Sequence, residues 1–71
     1  MNLYTLKKKF RPGTKVTPTL RFKDDPNYGK IFTVKSIIEY TADYILVDVY
    51  RGEGSKESDG WHPDNLMVID E

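Results

Sequence analysis

The sequence has no cysteine, one histidine, one tryptophan and no apolar run approaching the thickness of a bilayer. Without cysteine there is no disulfide and no thiolate metal site, so nothing covalent staples the fold. His62 is the only imidazole, and no spacing of carboxylates around it supplies the three or four converging ligands of a metal centre. A membrane helix needs about 20 consecutive apolar residues, and no stretch here provides them. The opening ten residues place their lysines after a very short apolar patch, the reverse of a secretory signal, so a cytoplasmic chain without membrane association is expected. No cofactor is expected either. Charge of one sign is also missing overall: the formal net charge is zero. The halves differ, however. Residues 1–38 hold nine Lys/Arg against two Asp, and residues 39–71 hold two Lys/Arg against nine Asp/Glu. These blocks either neutralise each other across interleaved strands or leave one basic and one acidic face.

What is present is a small chain rich in rings and branched side chains. Seventy-one residues make one domain. A chain of that size buries only about 60% of the surface its unfolded form exposes, which leaves a stability of a few kcal/mol. Five Tyr, three Phe and one Trp can build such a core, with little room left for a deep active-site cavity.

The stretch from Gly29 to Arg51 organises the rest. Ile31, Phe32, Val34, Ile37, Ile38 and Tyr40, then Tyr44 to Tyr50, are dense in β-branched and aromatic residues, and Thr41-Ala42-Asp43 is the one polar break. This predicts two long strands in an antiparallel hairpin. The apolar parity switches between Val34 and Ile37, which predicts a β-bulge near Lys35-Ser36 that turns Ile37 inward. In the second strand Ile45, Val47 and Val49 share the core face. The predicted interior is Val16, Val34, Ile45, Val47 and Val68.

The flanks are shorter signals. Leu3, Leu6 and Phe10 have helical spacing, while Tyr4 and Leu6 alternate as in a strand, so residues 1–11 read either as a basic arm or as a short extra element. Pro12-Gly13 is a turn, Thr14 to Pro18 a short strand ending at its proline, and residues 19–28 a partly ordered loop with Leu20 or Phe22 tucked onto the core. Residues 51–60 read as a mobile polar loop that lacks the ending of a phosphate loop. Trp61 begins a short strand, Pro63-Asp64-Asn65 makes one helical turn, and Leu66 to Ile69 closes the chain's order of strands.

Gly60, Pro63, Asn65, Val68 and Ile69, at the spacing Gly-x-x-Pro-x-Asn followed by four apolar residues, resemble the one-turn helix and last strand of SH3-like small β-barrels. Pro12-Gly13-Thr14-Lys15-Val16 and Tyr28-Gly29-Lys30-Ile31-Phe32-Thr33-Val34 are similar to the SH3-like barrels of bacteria and their phages, and to the KOW-type modules of ribosome and transcription factors. The resemblance covers residues 12–70. It implies an all-β fold, a single SH3-like five-stranded small barrel over residues 12–71 with one 3₁₀ turn near residues 63–65. It also implies a non-enzymatic protein-interaction module, such as a bacterial or phage accessory protein, with nucleic-acid binding as the KOW-like alternative. Proline-peptide-binding SH3 domains carry an Ala-Leu-Tyr-Asp-Tyr run, paired tryptophans and a tyrosine after the Asn. Here Leu66 follows Asn65 and Trp61 stands alone, so an aromatic groove for polyproline is not implied.

Two candidate surfaces follow. Tyr28, Tyr44, Tyr50 and Trp61 exceed what so small a core can bury and are candidates for a protein contact; the alternative is that they complete the core at its rim. Lys7, Lys8, Lys9 and Arg11 around Phe10, with Lys15, Arg21 and Lys23, are candidates for a nucleic-acid contact; the alternative is a solvated face or a protected strand edge. Catalysis needs a nucleophile with a base, or a carboxylate pair, in a dry pocket. His62, between Trp61 and Pro63, reads instead as a ring stacked or bonded at a turn. Asp24-Asp25 read as turn residues, and Asp48 as facing solvent or pairing with Lys35. The expectation is therefore not an enzyme, and a monomer or weak homo-oligomer.

Overall fold

The computed structural model describes residues 3–69. Chain order is α1 (Leu3–Lys9), β1 (Lys15–Pro18), a 3₁₀ turn η1 (Leu20–Phe22), β2 (Phe32–Thr41), β3 (Tyr44–Tyr50), β4 (Ser58–Trp61), a second 3₁₀ turn η2 (Pro63–Asn65) and β5 (Leu66–Val68). The five strands form one sheet in the order β4-β3-β2-β1-β5, with every neighbouring pair antiparallel.

Strand β2 is shared between two pairings. Its first residues face β1, with Val16 opposite Phe32 and Lys15 opposite Thr33. From Val34 onward it faces β3. Val34 lies opposite Val49 and Ser36 opposite Asp48, so Lys35 is an extra residue. This is the bulge expected from the parity switch, and it places Ile37 opposite Val47 and against the core. An extra residue bends a strand and increases its twist, which lets one strand serve both halves of the sheet.

The outer strands β4 and β5 are joined by His62 and η2 but are not hydrogen-bonded to each other, so the sheet is not closed. At η2, His62 Nδ1 accepts the Asp64 N–H (3.2 Å), and Pro63 occupies a helix-start position, where its missing N–H costs nothing. Asn65 O accepts the Thr19 N–H (3.0 Å), tying this turn to the start of the β1–β2 connection.

Leu6, Phe10, Val16, Phe32, Val34, Val47, Val49 and Leu66 are buried together, with Ile37, Ile45, Trp61 and Val68 packed against them. Of the expected interior, Val16, Val34 and Val47 are fully buried, while Ile45 and Val68 are only partly so. The ambiguity at the N-terminus resolves as a helix. Leu6 and Phe10, four residues apart, lie on one helical face, and both enter the core. Phe10 N–H continues the helical pattern by donating to Leu6 O (2.8 Å). Lys7, Lys8 and Lys9 occupy the last turn, where cations suit the negative end of the helix dipole. No helix among the described residues is long and apolar enough to cross a membrane.

Two local expectations are corrected, and the choice between Leu20 and Phe22 is resolved. Residues 58–60, read as part of a mobile loop, belong to β4, and Trp61 ends that strand rather than beginning one. Ser58, Asp59 and Gly60 carry no apolar side chain that would mark a strand; backbone pairing with Tyr50, Val49 and Asp48 holds them in the sheet. Leu20 is exposed, and Phe22 is the loop residue that packs inward, edge-on to Trp61 at 5.5 Å. Asp48 is neither solvent-facing nor paired with Lys35. It is 7% exposed in β3, between β2 and β4, where its Oδ2 accepts from Ser58 Oγ (3.0 Å).

Candidate functional site

The four candidate aromatics occupy different parts of the surface. Trp61 meets Phe22 edge-on and Phe32 at a tilt (ring centroids 5.5 and 6.1 Å), so it completes the core beneath the β1–β2 connection. Tyr28 is exposed in that connection, in a turn closed by its N–H on Asp25 O (2.9 Å). Tyr44 and Tyr50 begin and end β3. At about 3.4 Å per residue, they are separated by roughly 20 Å. Each belongs to a different constellation.

Tyr44 sits at the tip of the β2–β3 hairpin with a ring that chain order did not single out. Glu39 faces Ile45 and Thr41 faces Tyr44, so Tyr40 is a second extra residue in β2. Two-residue hairpins favour turns that need positive φ, yet no described non-glycine residue takes one. The extra residue takes up the mismatch in strand twist. Asp43 N–H donates to Thr41 Oγ1 (3.2 Å) across the turn. The outcome is a stacked pair, Tyr40 on Tyr44, with centroids 5.1 Å apart and planes 25° apart. The rings stay 58% and 52% exposed. Glu39 and Asp43 are exposed beside them.

Tyr50, at the other end of β3, lines a cleft of about 530 Å³ between the sheet and the loop at residues 52–56. Lys35, outward-facing two residues after Thr33, and Lys56 from the loop line it too, together with Thr33 and Glu53. A smaller cavity of about 290 Å³ continues from it past Tyr50 and Thr33 to Lys15 and Ile31. Lys15 Nζ donates to Thr33 Oγ1 (2.6 Å), which ties this exposed ammonium to the neighbouring strand beside the cavity. Arg51 fixes the far wall. Its Nη1 donates to Glu57 Oε2 (2.9 Å) and its Nε to Asp59 Oδ2 (3.0 Å), while its N–H meets Glu57 O (2.9 Å). Asp59, first by hydrogen bond and then by charge, and Glu57 beside it raise the Arg51 pKa further above its ordinary range. Its charge is thus spent on the loop. Among the described residues Lys15, Lys35 and Lys56 form no ion pair.

The other candidate cations do not join this cleft. Lys7, Lys8 and Lys9 follow one another around α1, and Arg11 comes after it; all four are exposed. Lys9 Nζ lies 5.3 Å from the Phe10 ring centroid, covering the outer side of a core residue. Lys7, Phe10, Pro12, Ser36 and Ile37 border a separate shallow cavity of about 310 Å³. Arg21 lies within η1 and Lys23 caps it. Of the cations expected to contact nucleic acid, only Lys15 stands in the cleft. Lys35 and Lys56 join it through strand pairing and loop folding, which runs of charge in the sequence do not signal. No group of three or more His, Cys, Asp or Glu among the described residues is placed to hold a metal ion.

Comparison of the chain with protein-family models, with curated proteins and with solved structures gives no match. The surface itself therefore has to carry the functional reading.

Proposed function

We propose that the chain is a non-enzymatic, cytoplasmic binding module of SH3-like architecture that docks a partner protein through the aromatic tip of its β2–β3 hairpin. The architecture is supported by the strand order, by β2 bending at Lys35 to pair on both sides, and by a one-turn helix linking the two outer strands. Such a sheet wraps one core and leaves loops at its two ends for binding.

The observation that carries the docking reading is the Tyr40–Tyr44 stack, two rings in contact yet both more than half exposed. Tyrosine offers a large, rigid contact area with a polar handle, and buried tyrosines anchor protein interfaces. Because the pair is already stacked, little side-chain freedom remains to be lost on binding. Glu39 and Asp43 supply an acidic rim, which fits a partner with an apolar centre and a basic border.

The test is affinity capture from a lysate of the encoding organism, with the wild type and a Tyr40→Ser/Tyr44→Ser variant of matching thermal stability. A discrete protein retained by the wild type and lost from the variant is the expected result. Losing two anchors costs about 2 kcal/mol or more, roughly thirtyfold in affinity. Retention of the same proteins by both forms overturns the reading.

A further inference from the structure

We propose that the cleft around Tyr50 is a second binding site, which takes a short single-stranded nucleic acid. This site lies at the opposite end of β3 from the tyrosine tip and does not depend on what the tip docks. Three observations converge on it.

The first is charge. Lys15, Lys35 and Lys56 come from three separate parts of the chain and line a pair of adjoining depressions with Thr33, Tyr50, Gly52 and Glu53 in common. Glu53 is the one carboxylate lining it, so the lining carries a net positive charge. Arg51 sits next to the cleft, but its guanidinium already serves Glu57 and Asp59, which leaves the lysines as the available cations. The second is the ring. Tyr50 lines both the larger cleft and its extension, and an aromatic between lysines offers a base a stacking face while phosphates meet ammonium groups. The third is preorganisation. Alternation after the buried Val34 sets Lys35 on the outer face with Thr33, Thr33 Oγ1 orients Lys15, and the Arg51 clamp holds the loop that bears Lys56. An ammonium has three donors, so Lys15 keeps two for a phosphate after bonding Thr33.

A duplex presents its bases edge-on within a stack and would offer Tyr50 no face, so a single strand fits this chemistry better. Nothing in the cleft reads a particular base edge by a paired donor and acceptor, and binding is expected to tolerate sequence.

The experiment is fluorescence anisotropy with a fluorescein-labelled oligothymidine of about ten nucleotides and its oligouridine counterpart. With three lysines engaged, log K should fall with log salt at a slope of about −2, or about twentyfold between roughly 50 and 200 mM. A Lys15→Gln/Lys35→Gln/Lys56→Gln variant should weaken binding by about tenfold or more and flatten the slope. A Lys7→Gln/Lys8→Gln/Lys9→Gln variant removes the same charge from α1 and should stay within about twofold. Tyr50→Leu should lose about fivefold or more, while Tyr50→Phe keeps the stacking face and the affinity. Thermal unfolding followed at Trp61 checks that each variant folds. If Tyr50→Leu does not fold, the two lysine variants and Tyr50→Phe still decide. No binding at the lower salt overturns the proposal. So does equal loss in both lysine variants, and so does competition by polyglutamate as effective as by unlabelled oligonucleotide, which would assign the cleft to an acidic protein.

Discussion

Replacing Phe10 with alanine removes one of the largest fully buried side chains in the protein, at 1% exposure. Phe10 follows α1 and, with Leu6, is the helix's anchor in the core formed by Val16, Phe32, Val34, Val47, Val49 and Leu66. Deleting a buried phenylalanine costs about 3–5 kcal/mol through lost transfer energy and the void left behind. The shallow cavity beside Lys7, Pro12, Ser36 and Ile37 gives the site some room to collapse, which favours the lower end of that range. A chain of this size has a total stability of roughly 4–10 kcal/mol, so the loss is a third of it or more. In urea, with a slope of about 1 kcal/mol per molar, the midpoint should fall by about 3 M or the variant should be unfolded at the outset. Trp61 is the only tryptophan and packs between Phe22 and Phe32, so its fluorescence follows the transition directly. The charge variant Lys7→Gln/Lys8→Gln/Lys9→Gln, on the exposed side of the same helix, should change stability by less than about 1 kcal/mol. A Phe10→Ala loss below about 1 kcal/mol would mean that the first eleven residues are an appendage, and the reasoning would be wrong.

Three further outcomes are expected. Ser58→Ala leaves the buried Asp48 carboxylate without its hydroxyl donor and should cost about 1–3 kcal/mol by urea denaturation, whereas Asp48→Asn keeps an acceptor for Ser58 and should cost less. Gly13 takes a φ of +93° while its N–H donates to Val34 O (2.8 Å), so Gly13→Ala should destabilise by about 1–2 kcal/mol in a thermal melt even though the added methyl meets no atom. Arg51→Gln releases two exposed pairs and should leave the global urea midpoint nearly unchanged, yet amide exchange in residues 52–57 should speed up clearly.

Much of the fold was legible because strand parity is a strong signal. The move of inward residues from Val34 to Ile37 carries its own explanation, and the structure places the extra residue at Lys35. Pro63-Asp64-Asn65 and Pro12-Gly13 announce their turns through side chains with fixed backbone preferences. The polar strand β4 left no such mark, since Ser58, Asp59 and Gly60 are held by the backbone of β3 rather than by burial. Leu6 and Phe10 fit either a helix or a strand over so short a stretch, and only packing chose between them. The candidate sites were harder still. Chain order gives no reason to group Lys15 with Lys35 and Lys56, or Tyr40 with Tyr44, because each grouping arises from register across strands. Local charge density instead pointed to Lys7, Lys8 and Lys9, which lie in the last turn of α1, with Lys9 over the core residue Phe10.

The placing of Ile37 in the core and of Tyr40 at the tip depends on the extra residues in β2, since a shift of one residue sends every later side chain to the opposite face. The direct measurement is the set of cross-strand backbone nuclear Overhauser contacts between β2 and β3. Val34 should meet Val49, Ser36 should meet Asp48 and Ile38 should meet Leu46, with Lys35 opposite no residue of its own and Thr41 meeting Tyr44. An unbroken ladder in which Lys35 meets Asp48 and Ser36 meets Val47 would contradict the account. It would turn Ile37 to solvent and Ser36 into the core.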